Sequence, residues 1–252
     1  MIACRFRLGF EERYGAIDGS TVRALSAEPW GGGLPQGPAR PLSEVSLVAP
    51  VAPSKVVCVG KNYAAHAREM GLPVVWKQPL LFLKPSTAVV GPAAAIRIPE
   101  ASQEVHHEAE LAAVIGHPLT AAKTATEARQ AIFGWTCLND VTARDIQRAE
   151  LHFTRAKSFD TFCPIGPVIE TNLDPLDTYV VCRVNGEERQ RGSTKDMIVD
   201  PYLLIALASQ AMTLLPGDVV ATGTPAGVGP LKRGDLVEVE IGGIGVLKNP
   251  VI

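Results

Sequence analysis

Cysteines are few in this sequence and do not form a recognisable motif. The 252-residue chain has five of them, an odd number, and they are widely spread with no C-x-x-C pair. This pattern does not fit a disulfide framework, and it predicts a reducing compartment, most simply the cytoplasm.

Long hydrophobic runs are also missing. The longest apolar stretch, "YLLIALASQAMTLL" at 202–215, contains Ser209 and Gln210 and is shorter than the roughly 20 residues that cross a bilayer. We therefore expect a buried helix there and no membrane partner. The first residues, "MIACRFRLGFEERYG", place Arg5 and Arg7 where a secretion signal needs an unbroken apolar segment, so no signal peptide is predicted.

The charged residues show no excess of one sign. The formal net charge is −2, and lysines and arginines are scattered among the acidic residues, so a nucleic-acid partner is not expected. The glycine-rich "ATGTPAGVG" at 221–229 lacks the Lys-Ser/Thr of a P-loop and precedes Pro230 rather than a helix. This favours a turn with a substrate-facing Thr224 over a nucleotide site.

Glycine and proline are abundant, with 23 and 20 residues, and indicate many tight turns between short strands. Helices are predicted after Thr124, with a capping box to Glu127, and after Asp200, with Pro201 in the first turn. One or two helical turns are expected in "AAHAREMG" at 64–71. Many strands and few helices predict a mainly β, α+β fold with a mixed or rolled sheet.

Two structural units are expected. The stretch "VAPVAPSK" at 48–55 brings prolines close together and is typical of a connector. We therefore predict a small N-terminal β domain at 1–52 and a larger domain at 53–252.

Two glutamates in "VHHEAELAAVIG" (105–116) indicate chemistry. Glu108 and Glu110 are two residues apart, so on a strand they project from the same face. The apolar run that follows them predicts a strand buried on both sides, where two carboxylates repel each other unless a cation lies between them. Asp140 directly follows a second apolar run and offers a third carboxylate. Three such oxygen donors predict Mg²⁺ or Mn²⁺.

A rival ligand set remains open at this point. His106 lies on the same face as Glu108 and Glu110, and that combination would favour Zn²⁺ or Fe²⁺. Spacing along the chain does not separate the two sets.

Other candidate residues carry a base or a positive charge. His66 and Glu69 are three apart, so in a helical turn the carboxylate can orient the imidazole as a general base. Lys84 in "FLKPS" and Lys157 in "RAKSFDTFCP" lie beside apolar sequence, where a buried ammonium group needs an anionic partner. Each would form a structural salt bridge or neutralise a substrate carboxylate.

Seven motifs, in order and spacing, resemble the fumarylacetoacetate hydrolase family, and most closely its short bacterial-type and acylpyruvase-like members. The resemblance covers about residues 55–232. The motifs are "GKNYAAHAREMG", "PLLFLKPSTAVVGP", "HHEAELAAVIG", "NDVTARDIQ", "RAKSFDTFCPIGP", "VNGEERQ" and "LLPGDVVATGTPAGVGP".

The resemblance implies a mixed β-roll catalytic domain in a homodimer, with Mg²⁺ or Mn²⁺ as the cofactor. It implies metal ligands at Glu108, Glu110 and Asp140, and not at His106 or His107. The further roles that it implies are a water-activating histidine at His66, its partner acid at Glu69, an active-site lysine at Lys157, substrate contacts at Gln147 and Thr224, and a substrate-binding position near the pocket for Lys84.

The implied substrate is a small 2-oxo acid that reacts through an enolate. Three reactions share this enolate: hydrolysis of acylpyruvates or fumarylpyruvate, decarboxylation of oxaloacetate, and tautomerisation of oxaloacetate or of hydroxydienedioates from aromatic catabolism. The intact pair of His66 and Glu69 favours C–C cleavage, by hydrolysis or decarboxylation, over isomerisation. A catalytically idle member that acts as a binding protein is the alternative from another class. Segments 68–79, with Trp76, and 148–156 are candidate lids over the pocket.

Overall fold

The structure is a computed structural model that describes residues 1–71 and 80–252. Most of the first candidate lid, including Trp76, lies outside these described residues. In the described ranges, the strands are Ile2–Leu8 (β1), Glu11–Asp18 (β2), Thr21–Leu25 (β3), Pro35–Pro41 (β4), Ser46–Val48 (β5), Val56–Gly60 (β6), Leu80–Lys84 (β7), Val89–Val90 (β8), Val105–His107 (β9), Ala109–Ile115 (β10), Ile132–Asn139 (β11), Thr142–Ala143 (β12), Cys163–Glu170 (β13), Tyr179–Val184 (β14), Glu187–Ser193 (β15), Val219–Ala221 (β16), Gly229–Pro230 (β17), Leu236–Ile241 (β18) and Gly245–Pro250 (β19).

Short helices are inserted between these strands. The α-helices are Ala64–Glu69 (α1), Ala125–Ala131 (α2), Arg144–Ala149 (α3), Thr154–Lys157 (α4) and Pro201–Ala211 (α5), and 3₁₀ turns lie at Pro29–Gly31, Leu42–Glu44, Ser86–Ala88 and Thr194–Asp196. The prediction of a mainly β fold with a few helices is confirmed.

The strands of the described residues form three sheets. The large sheet has the order β4-β3-β2-β1-β13-β11-β10-β16-β6-β7, with β5 beside β1 and β8 beside β13. It is mixed, as predicted, because β16 pairs with β6 and β8 with β13 in parallel while its other pairs are antiparallel. The second sheet is β15-β14-β18-β19, and a small sheet joins β12, β9 and β17.

The N-terminal strands continue the large sheet. Strand β1 pairs with β13 through Ile2 and Glu170, so β1 to β4 extend the sheet of the larger unit. The indole of Trp30 packs edge-on against Phe133 at 5.8 Å between ring centroids. The N-terminal unit therefore shares backbone hydrogen bonds and apolar contacts with the rest of the chain.

Strand β10 lies near the centre of this architecture. It is flanked by β11 and β16, and every residue from Ala109 to Ile115 is buried. This confirms the predicted strand with two buried faces, which an all-apolar run requires. One face of β10, with Leu111 and Ala113, packs in a core that combines side chains of the large sheet with those of the second sheet and of α5. The other face, with Ala112 and Val114, packs in a separate cluster formed mainly by side chains of the large sheet.

The two predicted helices are present. Asp200 caps α5 by accepting hydrogen bonds from the N–H groups of Tyr202 and Leu203 at 3.0 and 3.1 Å. Thr124 caps α2, but the carboxylate of Glu127 accepts from the N–H of Lys123 rather than from that of Thr124. The predicted capping box is therefore only half formed.

The helical turn predicted at 64–71 is α1, whereas α3 and α4 have no clear signal in the sequence. Helices of four to six residues are too short to show a hydrophobic period. Among the described residues, no helix combines the length and the hydropathy needed to cross a membrane. The five cysteines are buried and free.

Candidate active site

A pocket of about 330 Å³ opens where the end of β10 meets α1, α3 and α4. Its walls combine acids, bases and apolar side chains. They are formed by Val59, Gly60, Lys61, His66, Met70, Leu80, Phe82, Glu108, Glu110, Asp140, Arg144, Gln147, Arg148, Phe153, Lys157 and Thr224. The second candidate lid, 148–156, thus contributes Arg148 and Phe153 to these walls.

Three carboxylates converge in the wall of the pocket. Glu108 lies between β9 and β10, Glu110 is on β10, and Asp140 directly follows β11. The antiparallel register, with Ala109 opposite Asn139, brings these residues together, and the N–H of Asp140 donates to the carbonyl of Glu108 at 2.8 Å. One oxygen from each carboxylate lies within 4.8 Å of the others, and all three residues are buried.

Two cations contact this carboxylate cluster from the pocket side. The ammonium of Lys157, on α4, donates to Glu108 at 3.0 Å and to Asp140 at 2.5 Å. The guanidinium of Arg144, on α3, donates to Glu108 and to the side-chain oxygen of Gln147. Two helices of at most six residues therefore place both cations.

The third cation is Lys84, at the end of β7. It is fully buried, it is not among the residues that form the pocket wall, and it donates to the carboxylate of Asp140 and to the carbonyl of Val141. This placement gives Lys84 a structural ion pair, one of the two roles expected from the sequence.

The two glutamates have opposite protonation preferences. Burial raises the pKa of Glu108, but the charges of Lys157 and Arg144 more than offset this effect and hold that pKa far below its usual range. Burial raises the pKa of Glu110 well above its usual range, and the charges of Asp140 and Glu108 raise it further. Burial lowers the pKa of Lys157, but Asp140 and Glu108 raise it above the usual value.

The donor set fits a hard divalent cation. Three buried carboxylates within one ion's reach are typical oxygen ligands for Mg²⁺ or Mn²⁺. Burial raises the pKa of Glu110, and the like charges of Asp140 and Glu108 raise it further. A bound cation would relieve that repulsion.

The candidate general base, His66, is also part of the pocket wall. The Nδ1 of His66 lies 3.1 Å from Oε2 of Glu69, and the other carboxylate oxygen of Glu69 accepts from the N–H of Gly227 at 2.9 Å. A carboxylate can only accept, so in the neutral form of the ring Nδ1 of His66 carries the proton and Nε2 has the free lone pair. The side chain of His66 is buried, while that of Glu69 is one-third exposed.

The polar residues expected to contact substrate are both in the wall. Thr224 follows β16, and its hydroxyl donates to the carbonyl of Ala109 at 2.8 Å. Gln147, on α3, lies beside Arg144. Arg144 itself was not singled out by the sequence reasoning, because its burial depends on Glu108, a residue 36 positions away.

The two histidines before Glu108 point to other partners. The Nε2 of His106 lies 2.9 Å from the carboxylate of Glu104, and Nδ1 of His107 lies 3.0 Å from the side-chain oxygen of Gln190. In the described part of the chain, the residues grouped closely enough to hold one ion are Glu108, Glu110 and Asp140, without His106. The arrangement therefore favours the carboxylate set over the His106 set.

The comparison with known domain families gives a match over most of the chain. The family described as fumarylacetoacetate (FAA) hydrolase C-terminal matches residues 55–252. The chain belongs to the fumarylacetoacetate hydrolase family. A second family, described as Rv2993c-like, N-terminal, matches residues 1–50.

Two relatives align with most of this chain, and one of them has an activity in its name. The mitochondrial oxaloacetate tautomerase FAHD2A of Bos taurus is 46% identical over 230 residues, which cover 86% of this chain and 73% of the relative. Protein Rv2993c of Mycobacterium tuberculosis is 46% identical over 250 residues, which cover 95% of this chain and 93% of the relative.

Solved structures show the same fold. The 5-carboxymethyl-2-hydroxymuconate delta-isomerase of Mycobacterium smegmatis has a TM-score of 0.93 and 44% identity, covering 100% of this chain and 99% of that one. The maleylpyruvate hydrolase of Sphingobium sp. SYK-6, in complex with manganese(II) and pyruvate, has a TM-score of 0.80 and 31% identity with the same coverage. The family thus includes both isomerases and hydrolases, and this chain is one of its enzymes.

Proposed function

We propose that this enzyme is divalent-metal-dependent and catalyses proton transfer at the carbon next to the 2-oxo group of a small 2-oxo acid, interconverting its keto and enol forms. The observation that carries the proposal is the oriented base, His66 with Glu69, in the same pocket as the three-carboxylate cluster. A 2-oxo acid needs both parts, since the base removes a proton while positive charge stabilises the enolate.

Glu108, Glu110 and Asp140 would hold the metal ion, Mg²⁺ or Mn²⁺. When bound there, such an ion supplies Lewis acidity that favours the enolate form of a 2-oxo acid. The fit rests on the chemistry of the donors, which are three buried carboxylates with no cysteine among them.

The pocket's cations suit an acidic substrate. Arg144 and Lys157 are buried in the wall, and Lys61 and Arg148 add positive charge to it. In this scheme Lys157 and Arg144 attract the substrate carboxylate, and Gln147 and Thr224 offer polar contacts. Lys84 acts through Asp140 rather than by contact with the substrate.

His66 is the proposed proton carrier. Its Nδ1–H is held by Glu69, which leaves Nε2 to accept a proton from the carbon beside the 2-oxo group and to return it to oxygen or carbon. Glu69 is fixed in turn by the N–H of Gly227. The imidazole therefore keeps one orientation throughout the transfer, with Nδ1 protonated before and after Nε2 carries the proton.

The second candidate is hydrolysis of a C–C bond in an acylpyruvate or fumarylpyruvate. The same Nε2 of His66 would then activate water, as the sequence motifs favour. The similarity to the maleylpyruvate hydrolase supports it. Relatives named as tautomerase or isomerase share 46% and 44% identity, against 39% and 31% for structures named as hydrolases, and for this reason we place proton transfer first. The sequence led to the expectation that the pair of His66 and Glu69 favours hydrolysis or decarboxylation over isomerisation. Decarboxylation of oxaloacetate needs no base, however, so the pair supports hydrolysis and proton transfer but gives decarboxylation no specific support.

The test is a substrate panel with the purified full chain and added Mg²⁺ or Mn²⁺. Oxaloacetate enol, 2-hydroxyhepta-2,4-diene-1,7-dioate, acetylpyruvate and fumarylpyruvate are followed by ultraviolet absorbance, and carbon dioxide release is measured for oxaloacetate. We expect metal-dependent tautomerisation that His66→Ala reduces by about 10²- to 10⁴-fold. His117→Ala, which changes an exposed histidine, is the control. Cleavage without tautomerisation would replace the first candidate by the second, and no turnover at all would favour a binding protein.

The compartment, the oligomeric state and the domain organisation of the enzyme belong to the same proposal. We place the enzyme in a reducing compartment, most simply the cytoplasm, as a homodimer, with an N-terminal β domain at 1–52 and the catalytic domain at 53–252. All five cysteines are buried and free, which is compatible with such a compartment.

A further inference from the structure

One buried amide ties the motif "VNGEERQ" to the candidate active site. Gln190 is on β15 of the second sheet, it is 1% exposed, and its side chain makes four hydrogen bonds. Its Oε1 accepts from the N–H of Ala109 and from Nδ1 of His107, both at 3.0 Å. Its Nε2 donates to Oγ1 of Thr224 at 2.7 Å and to the carbonyl of Pro225 at 2.8 Å.

Ala109 is the residue between the two glutamates of the carboxylate cluster. On one side of β10 it pairs with Asn139 of β11. On the other side the ladder with β16 ends at Ala112, and a last contact joins the N–H of Thr222 to the carbonyl of Leu111 at 3.0 Å. Beyond that point no strand covers β10 in the described part of the chain.

The side chains of Gln190 and Thr224 take the place of the missing strand. The N–H of Ala109 donates to Gln190, and the carbonyl of Ala109 accepts from the hydroxyl of Thr224 at 2.8 Å. Buried backbone groups need such partners. The peptide that carries Glu108 and Glu110 is thereby held by a side-chain pair from the second sheet and from the glycine-rich segment.

The partners of Gln190 and Thr224 determine which atom donates and which accepts in each of their hydrogen bonds. A backbone N–H can only donate and a backbone carbonyl can only accept, so Oε1 of Gln190 must face Ala109 and Nε2 must face Pro225. Nε2 then also donates to Thr224, whose own proton goes to the carbonyl of Ala109. What Thr224 can still offer to the pocket is a lone pair. It therefore suits a hydroxyl group or water rather than a carboxylate.

We propose that Gln190 is a positioning residue of this active site, which holds Glu108 and Glu110 at the metal and sets Thr224 as a hydrogen-bond acceptor. The inference rests on the proposed function for its consequences in catalysis, but not for the local structure. The motif around Gln190 contains neither the proposed base nor a proposed metal ligand, and positioning these ligands is the role that we assign to it.

Two variants and a matched control test the local part. Gln190→Leu removes all four bonds, whereas Gln190→Glu keeps the oxygen for Ala109 and His107 and loses the donors to Thr224 and Pro225. Gln210→Leu is the control, because Gln210 also bonds a backbone carbonyl, that of Ala122, but lies outside the pocket wall. Hydrogen exchange of the full chain is followed by mass spectrometry in peptides covering 105–111 and 222–226.

We expect exchange at Ala109 to become about tenfold faster in Gln190→Leu. In Gln190→Glu the protection of Ala109 should remain while that of 222–226 falls. If Gln190 had only a general structural role, Gln190→Glu would change hydrogen exchange in both peptides to a similar extent. Unchanged exchange in both variants would overturn the proposal, and if Gln190→Leu does not fold, Gln190→Glu decides alone.

The second readout is Mn²⁺ affinity, measured by calorimetry on chelator-treated protein. Loss of a partner that orients metal ligands costs about 10- to 100-fold in affinity or activity, and we expect this for Gln190→Leu and not for Gln210→Leu. Faster exchange with unchanged affinity and unchanged kcat would overturn the positioning role. If the wild type binds no Mn²⁺ and Glu108→Gln changes nothing, the proposed function fails, while exchange at Ala109 still decides what Gln190 holds.

Discussion

The ammonium group of Lys84 donates to the carboxylate of Asp140, and neither side chain is more than 1% exposed to solvent. Such a pair is costly to break, because the buried charge of Asp140 then keeps Lys157 as a partner but loses Lys84. We expect Lys84→Met to lower the free energy of unfolding by about 3 kcal/mol in urea denaturation of metal-free protein.

The matched control is Lys195→Met, which breaks the exposed pair of Lys195 with Asp177. Exposed pairs contribute about 0–1 kcal/mol, so that variant should unfold almost like the wild type. Equal effects of the two substitutions would show that Asp140 does not depend on Lys84.

Glu110 is the carboxylate whose pKa is raised, by burial and by the charges of Asp140 and Glu108. A folded-state pKa above the unfolded value means that its contribution to stability is complete below about pH 4.5 and is lost as the pH rises. Metal-free Glu110→Gln should therefore become more stable relative to the wild type as the pH is raised from 4 to 8. Thermal denaturation in the presence of a chelator measures this trend, and a difference that stays constant with pH would contradict it.

Stabilisation by added metal should require the carboxylate of Glu110, whereas the metal-free protein gains stability without it at high pH. At a Mn²⁺ concentration of about 100 times Kd, a ligand that binds the folded state alone adds about 2.7 kcal/mol of stability. We expect this gain in the wild type and in Glu44→Gln, which changes an exposed glutamate, but not in Glu110→Gln or Asp140→Asn. Full stabilisation of the two site variants would place the ion elsewhere.

Glu69 orients the base and is itself held by the N–H of Gly227. Glu69→Gln removes the charge that fixes the Nδ1–H tautomer of His66, and we expect kcat to fall by about 10- to 100-fold, less than the about 10²- to 10⁴-fold loss for His66→Ala. Mn²⁺ affinity should not change, because neither residue is a metal ligand in the proposed site. A loss of Mn²⁺ affinity equal to the loss of kcat would contradict the assignment.

The cysteine thiols should be inert in the folded protein. Burial raises the pKa of Cys4, Cys137, Cys163 and Cys182 to about 12 and that of Cys58 well above its usual range. The thiolate is the reactive form, so at pH 8 we expect fewer than one thiol per chain to react with Ellman's reagent, and five after unfolding in urea. Rapid reaction of one thiol in the folded enzyme would reveal a reactive cysteine.

Much of the site could be predicted because its residues carry local signals. The pair Glu108 and Glu110 stands before an apolar run on one strand, and His66 and Glu69 are one helical turn apart. Arg144 and Gln190 lie in motifs of the family, but no spacing or periodicity in the sequence marks their side chains as functional. Their burial is decided by Glu108 and by Ala109, partners 36 and 81 residues away in the chain.

The sequence by itself determined the class of the fold, the buried strand β10, the caps of α2 and α5, and the family with its candidate metal ligands and base. These depend on periodicity, on capping residues and on ordered motifs, all of which act over short distances along the chain. Only the tertiary structure decided that Lys84 lies behind Asp140, that His106 pairs with Glu104, and that a side chain from the second sheet completes β10 at Ala109. Such choices depend on which distant groups meet in the absence of water, where each buried charge and each backbone group must find a partner.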